Sequence, residues 1–306
     1  MTATATERTS SRAEVRRPGR RNPAPYLFIL PAVLVLALVF GYPLLTVIWD
    51  SFSVPQLLGT SSFGLDNYAT VLTDPLFLKS LLNNLRLFLA VPILTIVAVP
   101  VAALLFERVR GWRIYQSIAF VPYVIAIPVV GIVFSYVLQR NGVLNDALHA
   151  LRLDALVHDW LGDSGTAIWS VLFVIVWQQL GFGIVLFVAR LSSLENSLIE
   201  AALLDRANWW QRFWNILIPH LATTIEFFFT LSLINMLSWV FNYVFVMTGG
   251  GPAQSTNVLE MLLYTYAFRD GLPNLAAALS VIVLLISLVL LAIQAAIRRR
   301  VERLEN

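Results

Sequence analysis

EAALLDRANWWQRFWNILIP, residues Glu200 to Pro219, is the longest stretch of mixed polarity between two long apolar runs, and its reading decides the fold. From Leu198 to Leu204, Ala and Leu dominate and no β-branched run interrupts, which predicts a helix. A turn is expected at Asp205, Arg206 and Ala207. Asn208 then opens a second short helix as its N-cap, the side chain accepting from the first free backbone N–H groups. Trp210, Phe213, Trp214 and Leu217 recur at helical spacing and form one bulky apolar face, with Gln211, Arg212 and Asn215 around it. Pro219 marks the change to the next apolar run. A helix of this kind either lies among lipid headgroups, with Trp and Arg at the interface, or docks into a partner protein.

Everything around this stretch reads as membrane. Of 306 residues, 58% are hydrophobic and 13% charged, far from the balance of a soluble domain. Cysteine is absent, so neither disulfides nor thiolate metal sites are available. Lys79 is the sole lysine and no GxxxxGK[ST] loop occurs, so the chain supplies no phosphate-loop ATP site. His149, His158 and His220 lack the spacing of a metal cage or a catalytic triad. Neither a metal, a catalytic residue nor a nucleic-acid partner is expected.

Six apolar runs follow one another: Tyr26–Ile48, Leu82–Phe106, Ile114–Leu138, Ala167–Ala189, Leu221–Met247 and Leu275–Ile297. Each holds close to the ~20 residues that cross ~30 Å of hydrocarbon. The expected fold class is therefore an all-α membrane protein with six transmembrane helices, residues 23–297. Prolines inside several runs, among them Pro31, Pro43, Pro122 and Pro128, predict kinks. Residues 1–22 carry six arginines and predict a disordered basic tail; residues 298–306 form a second tail. Alternating the runs across a bilayer puts sixteen basic residues inside and five outside, which fixes both tails and the Glu200 segment in the cytoplasm.

Glu200-Ala201-Ala202, with Asp205, Ala207, Phe213, Ile216 and Pro219, resembles the EAA loop of permease subunits of binding-protein-dependent ABC importers. The stretches Gly64–Phe77, Phe120–Phe134, Val176–Leu194 and Val246–Phe268 resemble the first permease of the sugar-type branch, which includes the maltose and glycerol-3-phosphate importers. Arg206, Arg190 and Glu195 depart from it, standing where the family has Gly, Gly and Pro. A positive φ at Arg206 would cost roughly 1 kcal/mol. The resemblance covers most of the chain from Pro25 onward. It implies a type I ABC importer transmembrane fold with the EAA coupling helix, residues 198–219, between the fourth and fifth spans. It also implies a homologous second permease, an ATP-binding subunit dimer, an extracytoplasmic solute-binding protein, and the bacterial inner membrane as location. ATP and Mg would sit on the partner ATPase, with no cofactor on this chain. Carried onto this sequence, the ATPase-coupling residues are Glu200, Ala201, Ala202, Asp205, Arg206, Ala207, Trp210 and Phe213.

Polar residues inside spans are expensive and face other helices or a water-filled path. Asn235, Trp239 and Asn242 recur at i, i+4 and i+7, and Tyr243 follows. Amides hydrogen-bond hydroxyls and an aromatic ring covers C–H surface, which suits a sugar. Trp177 and Gln178 form a second patch in the fourth span, with Gln179 beside them. The alternative role for each is interhelical glue, at about 0.6 kcal/mol per bond. Glycerol-3-phosphate or its diesters are the rival solutes. A secondary transporter, the rival mechanism, would need coupling-ion groups near the midplane, and Glu226 is off centre. An intramembrane hydrolase would need a base within reach of a buried nucleophile, and no run holds a histidine.

Overall fold

The computed structural model describes residues 24–55, 61–107 and 111–305, so the 1–22 tail, Arg108 and Arg110 lie outside the described residues. The chain divides at Val47–Ile48 into two units. The first carries α1 (Ala24–Leu36), a π-turn at Ala37–Gly41 and most of α2 (Tyr42–Ser51). The second takes the end of α2 and then a short hairpin of β1 (Ser53–Pro55) and β2 (Ser61–Phe63), paired Ser53 to Phe63. Then come α3 (Asp66–Thr73), α4 (Pro75–Leu87), α5 (Ala90–Phe106), α6 (Trp112–Val124), α7 (Ile127–Val137), α8 (Val143–Ala150) and α9 (Ala167–Leu191). The remainder is α10 (Asn196–Leu204), α11 (Trp209–Arg212), a π-turn at Phe213–Leu217, α12 (Ile218–Met247), α13 (Leu259–Tyr264), a π-turn at Thr265–Arg269 and α14 (Pro273–Glu305). Among the described residues five helices are long and apolar enough to cross a membrane, and the bent pair α6–α7 makes a sixth.

Four boundaries differ from the sequence reading, each for a local reason. The second span starts at Pro75 rather than Leu82, because Asp74 Oδ1 accepts the Leu76 N–H at 2.8 Å and Pro75 sits in the first turn, where no N–H is needed. The third run is not one helix: it bends by 98° between α6 and α7. The fifth runs unbroken from Trp209 to Met247, straight through Pro219. The sixth starts at Pro273 and stays helical through most of the expected tail, to Glu305.

Pro219 does not break its helix because the π-turn has made room for it. Its ring would clash with the carbonyl of Asn215, four residues back. Instead the preceding residue, Ile218, donates five back to Phe213, so the turn is widened ahead of the ring. Pro43 repeats the device, with Tyr42 donating to Ala37 across the Ala37–Gly41 turn.

Three apolar clusters make the core of the second unit. One joins α4 and α5 to α7, α9 and the far half of α12, around Tyr243 and Met236. The next joins α5 and α9 to the near half of α12, around Phe187, Phe228 and Leu191. The last packs α3 and α4 on α13 and α14. The glycine-rich turn after α12 has Gly249 and Gly250 at φ 59° and 89°, which glycine tolerates, and it is sewn to α4. Asn83 Nδ2 donates to the carbonyls of Ser255 and Asn257, both at 2.8 Å, and Asn84 Oδ1 accepts from the Leu259 N–H at 2.8 Å. Nearby, before α9, the Gly165 N–H and then the His158 ring hold the Asp163 carboxyl below its ordinary range.

Candidate functional site

The Glu200 segment folds as two short helices with a defined joint. Arg206 N–H donates to Leu203 O at 3.1 Å and Ala207 N–H to Ala202 O at 2.9 Å, the paired bonds of a Schellman C-cap. Arg206 therefore sits at the left-handed position, φ 57°, where glycine is favoured. Arg206→Gly is expected to raise stability by roughly 1 kcal/mol, the left-handed penalty less the extra entropy glycine loses on folding. The melting temperature should rise by roughly 2–4 °C, and an unchanged or lower value would refute the assignment. Asn208 closes a capping box, its Oδ1 accepting from Gln211 N–H at 2.9 Å and its own N–H donating to Gln211 Oε1 at 2.7 Å. Arg212 then pins the joint: one guanidinium nitrogen donates to Ala207 O at 3.0 Å and another pairs with Glu107 Oε1 at 2.6 Å.

The expected apolar face of α11 splits lengthwise. Phe213 and Leu217 enter the core beside Leu191 and Leu194, whereas Trp210 and Trp214, about 60° round the helix, are 62% and 59% exposed. Phe213 thus belongs to the protein's own interior and offers nothing to a partner. Glu200, Ala201, Leu204, Asp205 and Arg206 are exposed, while Ala202 and Ala207 are half-buried. Behind the segment, Arg190 and His220 tie α9 to α12: Arg190 Nε donates to His220 O at 3.3 Å, and His220 Nε2 lies 3.2 Å from Arg190 O.

A cavity of about 530 Å³ opens where the bent span faces α9 and α12. Asn235, Trp239 and Asn242 line it from α12, Gln178 and Gln179 from α9, and residues 123–128 close it at the bend. Among the described residues no charged side chain lines it. Its volume falls within the usual range of small-molecule sites. The three residues at i, i+4, i+7 spacing therefore share one cavity wall, but their neighbours in sequence are not part of it. Tyr243, one residue past Asn242, turns away into the core and is fully buried. Trp177 packs edge-on against Phe134, ring centroids 5.0 Å apart, outside the cavity lining.

Tyr123 and the backbone of the bend were not legible as a site. Tyr123 is held by stacking on Phe182, centroids 4.9 Å apart. The signal for the bend is the pair Pro122 and Pro128, bracketing Ile125 and Ala126, which are both extended with ψ 136°. Uncharged amides, a phenol and an indole around one space can hydrogen-bond and stack on a polyhydroxylated solute. They offer an anion no compensating charge.

Residues 85–303 match the model of the family described as binding-protein-dependent transport system inner membrane component. The chain is 34% identical over 281 residues to a probable ABC transporter permease, YurN of Bacillus subtilis (strain 168), covering 88% of this chain and 94% of that protein. It is 31% identical over 281 residues to the sn-glycerol-3-phosphate transport system permease UgpA of Agrobacterium fabrum, covering 88% and 92%. Two crystal structures of bacterial alginate ABC transporters share the fold. Their TM-scores are 0.76 and 0.75, each at 21% identity, over 90% and 91% of this chain and 95% and 94% of theirs. One of them is in complex with an alginate pentasaccharide-bound periplasmic protein.

Proposed function

Because the chain belongs to the family of binding-protein-dependent transport system inner membrane components, we propose that it forms half of the translocation path of an ATP-driven importer for a neutral, polyhydroxylated solute such as an oligosaccharide. The observation that carries this reading is a cavity lined by amides and aromatic rings, without charge, inside an importer-type permease fold. A second permease of the same kind completes the path, an ATPase dimer seats on the Glu200 segment, and an external binding protein delivers the solute. ATP and Mg are held by the ATPase. Both termini and the Glu200 segment face the cytoplasm in this reading, which the arginine distribution supports.

The same helix reaches from the Glu200 segment to the cavity. Trp210 and Asn235 lie on one unbroken helical run, 25 residues apart and hence about 37 Å. Closure of the ATPases would push on the segment, and the run carries that displacement to the cavity wall as a rigid lever. Asn235, Trp239 and Asn242 then change their position against the bend, alternating access to the solute.

Glycerol-3-phosphate, the solute in the name of the Agrobacterium fabrum relative and of several others, is the specific rival. Arg86, an arginine within the spans, donates to Asn83 Oδ1 at 2.8 Å and does not line the cavity. In lipid-reconstituted transporter, a neutral oligosaccharide presented by its binding protein should stimulate ATP hydrolysis and glycerol-3-phosphate should not. Asn235→Ala and Trp239→Ala should each raise the half-maximal solute concentration about tenfold, the loss of one buried hydrogen bond or stacking surface. Stimulation by the phosphate alone, or indifference to both substitutions, would rule the reading out.

A further inference from the structure

The bend between α6 and α7 is held by a polar relay that runs from the cavity wall into the core. A helix break inside a bilayer frees backbone carbonyls, and each must find a partner. Here Ile125 O accepts from Gln178 Nε2 at 2.7 Å, and Gln178 Oε1 accepts from the Tyr243 hydroxyl at 2.8 Å. Gln179 Nε2 approaches the same hydroxyl at 3.4 Å. Tyr243 is fully buried, so water cannot replace its partner, and Gln178 is 2% exposed, at the cavity wall.

The arms of the bend are clasped by different helices. At Gly181, α9 touches the α6 backbone: a Cβ there would lie 2.7 Å from the Ala119 carbonyl carbon and 2.9 Å from Phe120 Cα. At Gly131, α7 meets α12, where a Cβ would lie 2.9 Å from Val246 Cγ1. Thus α6 is committed to α9 and α7 to α12. The relay joins α9 to α12 at the point where the two arms meet.

We propose that Gln178 and Tyr243 are positioning residues, a latch that sets the angle between α6 and α7 and with it the width of the cavity. Displacement of α12 along α9 draws the hydroxyl from Gln178, frees the Ile125 carbonyl, and lets the bend change angle. Ordinary interhelical glue would end on another side chain. This relay ends on the carbonyl that the break itself exposes, so its loss is felt at the bend. The proposal rests on the transport reading for its purpose, though not for its geometry.

The chain has no cysteine, so two can be introduced for spin labels, Ile118→Cys on α6 and Val133→Cys on α7, both at exposed positions. Inter-label distances are measured in the full-length chain, with the subunits that copurify, in lipid nanodiscs. The unsubstituted relay should give one narrow distribution. Tyr243→Phe, which removes only the hydroxyl, should broaden it and raise the half-maximal solute concentration about tenfold, while maximal ATPase turnover stays within about twofold. Gln178→Leu should broaden the distribution at least as much, and the double variant should be no broader than Gln178→Leu alone, because the hydroxyl acts through the amide. An unchanged distribution in Tyr243→Phe, a lower melting temperature with no change in distance, or additive effects in the double variant would overturn the latch. The distances need neither solute nor ATP. They are therefore independent of the transport reading, which fails instead if no solute stimulates ATP hydrolysis in the unsubstituted protein.

Discussion

Gly181→Ala is expected to destabilise the protein more than a methyl at any other glycine among the described residues. The added carbon would press on the α6 backbone, 2.7 Å from the Ala119 carbonyl carbon and 2.9 Å from Phe120 Cα, where no rotamer change can relieve it. The helices must separate instead, and α6 carries one wall of the cavity. Overpacking against a backbone reaches the upper end of the usual range, about 3 kcal/mol. At roughly 2–4 °C per kcal/mol, the melting temperature should fall by roughly 6–12 °C. Gly41→Ala is the control, since nothing lies within 4 Å of a Cβ there. Its melting temperature should hold or rise slightly, because alanine is the better helix residue. Equal melting curves for Gly181→Ala and the unsubstituted protein would mean that α6 and α9 are not in close contact.

Glu200→Lys should have the reverse signature, a fold left intact and a function lost. Glu200 is exposed on α10, so reversing its charge disturbs no buried contact and should change stability by no more than about 0.5 kcal/mol. Seated in a partner's cleft, the same carboxylate would be desolvated. Reversing a charge there costs about 2–5 kcal/mol, which amounts to loss of the complex at micromolar concentrations. Solute-stimulated ATP hydrolysis should fall to background, and the ATPase should no longer copurify. Retention of both at normal levels would mean that the ATPase seats elsewhere.

The joint of the Glu200 segment was readable because its signals are local. Asn208 followed three residues later by Gln211 closes its own capping box, whatever the rest of the chain does. The cavity face of α12 was readable for a similar reason, since Asn235, Trp239 and Asn242 share a helical stripe. Tyr243 was misplaced because the next residue lies about 100° further round, and only the packed structure shows it turned toward Gln178. Phe213 was misplaced because periodicity finds an apolar face but cannot divide it between core and surface. Pro122 and Pro128 made a kink legible in residues 114–138, but not a bend of 98°. Hydropathy sees the length of such a run and not its direction, and the side-chain amide that satisfies the freed Ile125 carbonyl lies 53 residues away, at Gln178.

The π-turn ahead of Pro219 carries one residue more than an α-helical turn would. Everything beyond it is therefore dialled round by about 100° relative to the helix that α11 begins. Azimuth, rather than distance, is what that extra residue sets: it decides that Asn235, Trp239 and Asn242 look into the cavity while Trp210 and Trp214 look out at the other end. A deletion of one residue between Phe213 and Leu217 would leave every side chain present and the span long enough, yet aim the amides at a different neighbour. The stretch is thus a phase setting between the two ends of the helix, and length variation there is a change of meaning rather than a change of spacing.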